Sequence, residues 1–260
     1  MYKFIETKHG KIALSFESKN IIIRLSGGFD SATLLCALCD HIERNQLDGY
    51  RIIPLTVTKV GNKNKKPMYD KRDLFRVAQT IIDYATARYP NVKIEMPEFY
   101  SVYNWWEDDT KYVTAQNRGI FDTCNKYNCF DDHIMYNGVT KNPDIDISPY
   151  EPNPERHRQI KRNDDIIEGT ISRMTKWEIS KGRCLVEVQP YRNADKRIVF
   201  SLADILGVRE DLEEIAISCE GNRRMTDNFK KRCIDVPENK TDYICWWCLE
   251  RKWAKENYDR

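Results

Sequence analysis

Ser26-Gly27-Gly28-Phe29-Asp30-Ser31 follows directly on Ile21-Ile22-Ile23-Arg24-Leu25 and runs into Ala32-Thr33-Leu34-Leu35-Cys36-Ala37-Leu38. The isoleucine run is β-branched and bounded by turn residues, so it reads as a buried parallel strand. Leu34, Leu35, Leu38 and Ile42 recur at helical spacing and predict a helix with one apolar face. The unit is therefore strand, glycine turn, helix. Gly27 and Gly28 can take positive φ and let a phosphate approach the backbone. The helix that follows offers free N–H groups and the positive end of its dipole. Ser26 and Ser31 add hydroxyl donors. Asp30 repels a bare phosphate, so its role is either to hold Mg²⁺ or to order the loop as a helix cap. Five fixed residues at ordinary usage recur at a given start about once in a million, so a chance match is a weak competitor.

Outward from this unit, Arg51-Ile52-Ile53-Pro54-Leu55-Thr56-Val57 predicts a second strand and Val92-Lys93-Ile94-Glu95 a third. Between them lie a lysine-rich loop, Lys59 to Tyr69, and a helix capped by Asp70 or Asp73 that ends near Arg88. This βαβαβ opening marks a parallel sheet with helices on its faces. Ile134-Met135-Tyr136 predicts a fourth strand, ending at Asn137-Gly138, and Cys184 to Val188 a fifth, closed by Pro190. Further helices are expected from about Thr110 to Asn125, from Arg197 to Leu206 with Gly207 as C-cap, and from Leu249 to Lys255. Residues 2 to 16 suit a small hairpin. Pro143, Pro149, Pro152 and Pro154 predict a long loop or lid over residues 142 to 165. The expected fold is a doubly wound α/β, Rossmann-like domain with a parallel five-stranded sheet.

With 260 residues, the chain suits one such domain with an appendage, or two small domains. Its 42 basic and 40 acidic residues leave a net charge of +2, so nucleic acid is not indicated by charge. No run of about 18 apolar residues predicts a membrane span. The N-terminus lacks the apolar core of a signal peptide, and a cytoplasmic location is expected. Nine cysteines are then reduced thiols or metal ligands rather than disulfides.

The turn Ser26 to Ser31 resembles the PP-loop signature of the N-type ATP pyrophosphatases, the adenine-nucleotide α-hydrolase superfamily. The resemblance implies an enzyme that splits ATP between its α- and β-phosphates. It implies adenylation of a carbonyl or carboxylate, release of pyrophosphate, and displacement of AMP by a nitrogen or sulfur nucleophile. It also puts Thr56 and Val57, at the end of the second strand, in the nucleotide-binding set. Gln189-Pro190-Tyr191-Arg192-Asn193-Ala194-Asp195-Lys196, then Leu206-Gly207-Val208 and Ile217-Ser218-Cys219, resembles the C-terminal half of 7-cyano-7-deazaguanine synthase, an enzyme of queuosine biosynthesis. That resemblance implies that Lys196 contacts the ATP phosphates. A lysine at the carboxyl edge of a parallel sheet neutralises charge on a leaving pyrophosphate, although alone it reads as a solvated helix residue. Asn137-Gly138-Val139-Thr140 resembles the family's second glycine turn, where Gly138 lets the nucleotide approach; alone it is an ordinary strand-end turn.

By the same resemblance Ser218-Cys219 begins a zinc site. Cys219, Cys233, Cys245 and Cys248 lie within thirty residues, and Cys245-Trp246-Trp247-Cys248 is a C-x-x-C knuckle. Four thiolates make a closed tetrahedral zinc site; a redox C-x-x-C or plain buried cysteines are the alternatives. Cys124 and Cys129 could form a catalytic pair, as in some tRNA thiolases. The resulting organisation is an N-terminal extension over 1–20, an ATP-binding domain over 21–210 with variable insertions at 97–131 and 143–183, and a zinc-bearing helical region over 211–260.

The resemblance covers residues 20–95, 132–142 and 184–250. The Asp-Cys-Arg substrate motif of the synthase is missing: Asp144-Ile145-Asp146-Ile147-Ser148-Pro149-Tyr150 has neither the cysteine nor the arginine. Trp105, Trp106, Tyr112, Arg156 and His157 are the candidate substrate-side residues. The leading expectation is an ATP-dependent synthase acting on a carboxylated heterocycle with an amine or ammonia donor, using ATP, Mg²⁺ and a structural Zn²⁺. A homodimer is compatible with these features. The alternatives are a tRNA-thiolating enzyme, which needs a basic face and a catalytic cysteine, and a regulatory nucleotide-binding module that has lost catalysis.

Overall fold

The hairpin expected at the N-terminus is β1 (Tyr2–Thr7) paired antiparallel with β2 (Gly10–Ser15). Gly10, at φ 131°, makes the turn. Ile12 and Leu14 of β2 are fully buried, so the hairpin is part of the main core rather than a loose extension. The computed structural model describes residues 2–60, 73–103, 110–141, 143, 145, 147, 171–174, 185–217 and 246–259.

The first strand of the main sheet, β3 (Asn20–Arg24), alternates its isoleucines across the sheet. Ile21 and Ile23 enter the larger core with α1 (Phe29–Arg44) and α2 (Asp73–Arg88), and Ile22 enters a smaller one on the opposite face. That smaller core is closed by Ile120 and Cys124 of α3 (Thr110–Tyr127). Helices therefore cover both faces. The larger core also takes α4 (Arg197–Ile205), α5 (Arg209–Ile215) and α6 (Trp246–Asn257). Gly207 is the left-handed residue just past α4, with φ 64°. No helix among the described residues is long and apolar enough to cross a membrane.

Beside β3 run β4 (Arg51–Val60) on one side and β7 (Ile134–Tyr136) on the other, both parallel to it. Two short strands, β5 (Lys93–Ile94) and β6 (Glu98–Tyr103), pair in tandem along the outer edge of β4. Pro54 sits at the break between them, so its missing N–H interrupts no ladder bond. Outside β7 come β9 (Leu185–Val188), parallel, and β8 (Ile171–Met174), antiparallel to β9.

Among the described residues the sheet thus has seven strands, in the order β5-β4-β3-β7-β9-β8 with β6 also on β4, where five parallel ones were expected. β6 follows Pro97 and is rich in strand-favouring aromatics, but lies in the stretch expected as a variable insertion. β8 lies in a charged stretch with no strand periodicity. The five expected strands stand in the order third, second, first, fourth, fifth. That is the doubly wound order, and it reverses between β3 and β7, where such folds open a crevice at the carboxyl ends of the strands.

Candidate active site

The glycine turn lies at this reversal point. Gly28 is the N-cap of α1, and no side chain caps it, so the first N–H groups of the helix are left for another acceptor. Gly27 has φ 79°, which a side chain would resist. Its carbonyl accepts the Ile217 N–H at 2.8 Å. The serines tie the turn to itself. The Ser31 hydroxyl donates to the Gly28 carbonyl at 3.1 Å and accepts the Ser26 N–H at 3.3 Å.

A cavity of about 520 Å³ opens here, the size of an ordinary ligand site. Ser26, Gly28, Asp30, Ser31, Val57, Gly138 and Lys196, all read from the sequence, line it. Gly27 and Thr56 do not belong to its wall. Thr56 is buried, and its hydroxyl donates at 2.6 Å to the carbonyl of Leu25, tying β4 to the end of β3. Gly138 has a second task beside lining the cavity. A β-carbon there would lie 3.2 Å from both the Asp30 carbonyl carbon and the Ser31 nitrogen. The turn after β7 thus packs its backbone on the first turn of α1, a contact that a β-carbon would crowd.

Asp30 is in the first turn of α1, not at its cap, which removes the capping role. Its Oδ2 lies 3.2 Å from Nζ of Lys196, at the start of α4. Its Oδ1 is buried with no hydrogen-bond partner among the described residues. Lys196 also meets Glu250 of α6 at 2.9 Å. Burial disfavours the Lys196 ammonium, but the charges of Asp30 and then Glu250 outweigh it and push its pKa above the usual lysine value.

Arg24, Trp247 and Glu250 also line the cavity, beyond the residues read from the sequence. Arg24 closes β3 and lies 3.9 Å from the buried Glu187 of β9. A charge at the end of an isoleucine run was the available signal. Glu187 accepts from Asn137 at 3.1 Å, which joins the ends of β7 and β9 beside the cavity, and from the neighbouring Gln189 at 3.0 Å. Trp247 and Glu250, both on the wall, come from the C-terminal helix, and no local pattern marks them.

Other expected residues stand elsewhere. Cys124 and Cys129 are buried neighbours in the smaller core. They lie near Asp132 and Tyr127, which bond Asn20 and Arg51 at the starts of β3 and β4. That is the edge opposite the cavity, so the pair does not meet a nucleotide there. Cys129 acts as acceptor for the Cys124 thiol, which raises the pKa of Cys124 and lowers that of Cys129. Cys248 is buried on α6. Cys219, Cys233 and Cys245 lie outside the described residues, as do Trp105, Trp106, Arg156, His157 and the side chain of Tyr112.

No protein-family model matches the chain, and no curated protein matches it in sequence. Solved structures similar to it include the U34-tRNA thiolase NcsA from Methanococcus maripaludis with its 4Fe-4S cluster, at 13% identity and TM-score 0.40 over 81% of this chain and 61% of that one. An NAD+ synthetase from Burkholderia pseudomallei aligns at 13% identity and TM-score 0.36 over 75% of this chain and 62% of the other. A universal stress family protein from Burkholderia pseudomallei aligns at 16% identity and TM-score 0.32 over 48% of this chain and 85% of its own. The chain spans about three-fifths of the length of the first of these. Superpositions this loose assign no activity.

Proposed function

We propose that the chain is an ATP-using enzyme of the PP-loop class, which splits ATP between its α- and β-phosphates. The contact between Asp30 and Lys196 carries this reading: it joins the glycine turn to the second half of the chain at the mouth of the sheet's reversal point. Uncapped N–H groups of α1 face phosphate oxygens. Lys196 supplies the cation for the leaving pyrophosphate. The buried, unpartnered Oδ1 of Asp30 fits a Mg²⁺ ligand. A Mg²⁺ held by Asp30 would neutralise part of the charge the leaving group develops.

The acceptor is a carbonyl or carboxylate, adenylated and then displaced by an amine or ammonia, as in 7-cyano-7-deazaguanine synthases. Nitrogen rather than sulfur is favoured because no cysteine among the described residues lines the cavity, and the Cys124–Cys129 pair is at the far edge. Cys248, with Cys219, Cys233 and Cys245, supplies the four thiolates of a structural zinc site that would anchor α6. The test is pyrophosphate release from ATP over a panel of carboxylates, with Asp30→Asn as control. Tight ATP binding with no release from any acceptor would instead mark a regulatory module.

A further inference from the structure

Asp30 alone does not settle the charge of Lys196. The lysine side chain is only 7% exposed, and it begins α4, where the helix's own N–H groups are unfavourable to a cation. The nearer counter-charge is Glu250, at 2.9 Å and 9% exposed, against 3.2 Å and 22% for Asp30. On α6, Trp247 and Glu250 stand one turn apart and both reach the cavity, while Trp246, Cys248 and Arg251 do not line it and are buried. Arg251 docks the helix: it donates to the carbonyls of Ala216 at 2.9 Å and Glu213 at 3.2 Å, and lies 4.8 Å over the Phe29 ring in the first turn of α1. The residue beside this clamp is the one that holds Lys196.

We propose that Glu250 is a positioning residue of the phosphate site, sharing the Lys196 ammonium with Asp30 and fixing where it meets a phosphate. This rests on the reading of the cavity as a nucleotide site. Two carboxylates face one ammonium, so the trio is net negative. An entering phosphate must compete with both for the same three N–H donors. Glu250 therefore weakens anion binding while placing the cation. Neutralising it should move the two quantities in opposite directions, which a merely structural residue would not do.

The experiment uses the full chain and two variants, Glu250→Gln and Glu250→Asp, with inorganic pyrophosphate as the binding probe and pyrophosphate release from ATP as the rate. Glu250→Gln keeps the side chain's size and an oxygen for Lys196. It is expected to bind pyrophosphate about ten-fold more tightly, since one close like charge is gone. Its kcat is expected to fall about ten-fold, because the ammonium is no longer held in place. Glu250→Asp keeps the charge but shortens the reach; its Kd for pyrophosphate should stay near wild type while kcat falls. If Glu250→Gln fails to fold, the Asp variant decides: unchanged kcat overturns the proposal. Parallel losses of affinity and rate that track a lowered Tm in both variants also overturn it. Wild-type protein that binds neither ATP nor pyrophosphate is a different result and overturns the nucleotide reading itself.

Discussion

Lys196, at the start of α4, lies 3.2 Å from Asp30 in the first turn of α1, and this contact ties the two halves of the chain together at the cavity. Removing one side of a buried ion pair costs about 3–5 kcal/mol and leaves the other charge stranded. Lys196→Met strands two carboxylates and should lower stability by about that amount. Asp30→Asn leaves Lys196 still paired with Glu250, so it should stay folded while pyrophosphate release falls about 10²- to 10³-fold. Denaturant unfolding and steady-state release on the two variants separate these effects.

Gly138→Ala and Gly27→Ala should fail differently. A methyl at Gly138 meets backbone atoms of Asp30 and Ser31 at 3.2 Å, which have no rotamer to give way. Overpacking there should cost about 1–3 kcal/mol and raise KM for ATP, because the first turn of α1 moves. A methyl at Gly27 meets the Val77 side chain at 3.2 Å and a φ of 79°. It should cost about 1–2 kcal/mol with a smaller change in KM, since Gly27 is off the cavity wall. Isothermal titration with a non-hydrolysable ATP analogue reads the contrast.

A buried phenol ties the end of the hairpin to the main sheet. Tyr136 is fully buried; its hydroxyl accepts the Ser15 N–H at 2.7 Å and donates to the Ser15 carbonyl at 2.5 Å. Tyr136→Phe leaves both backbone groups of Ser15 without this partner. Each unsatisfied buried group costs about 1–3 kcal/mol, so equilibrium unfolding should show a loss of at least that size.

Acid should weaken the fold through His133. Burial lowers its pKa from the usual 6.5, while Nδ1 donates to the carbonyls of Cys129 at 2.9 Å and Phe130 at 3.1 Å. Nε2 is buried with no partner among the described residues, so it is the bare nitrogen of the neutral ring. A folded-state pKa below the unfolded one means that the unfolded chain binds the proton more readily. The contribution is present above pH 6.5 and is lost as pH falls through the lower folded value. His41, also shifted down mainly by burial, acts in the same sense. Unfolding free energies measured between pH 7.5 and 5, for wild type and His133→Gln, should show a shallower acid slope in the variant.

The local sequence determined a great deal. Short-range patterns, β-branched runs and glycine punctuation, mark the five parallel strands expected, the glycine turn and the helices that follow it, because each of those signals is spent within one or two turns of chain. Seven of the nine residues assigned to the nucleotide site do line the cavity. Tertiary structure decided the rest. β6 and β8 take their places on the free edges of β4 and β9, pairings that no local pattern specifies. Thr56 spends its hydroxyl on the carbonyl of Leu25, and Gly138 serves a backbone contact as well as the cavity; neither use is visible without the neighbour. Glu250 is the clearest case. It is one charged residue on a polar helix until packing carries that helix across α1 and sets its carboxylate against Lys196, since electrostatics acts through space and sequence records only order along the chain.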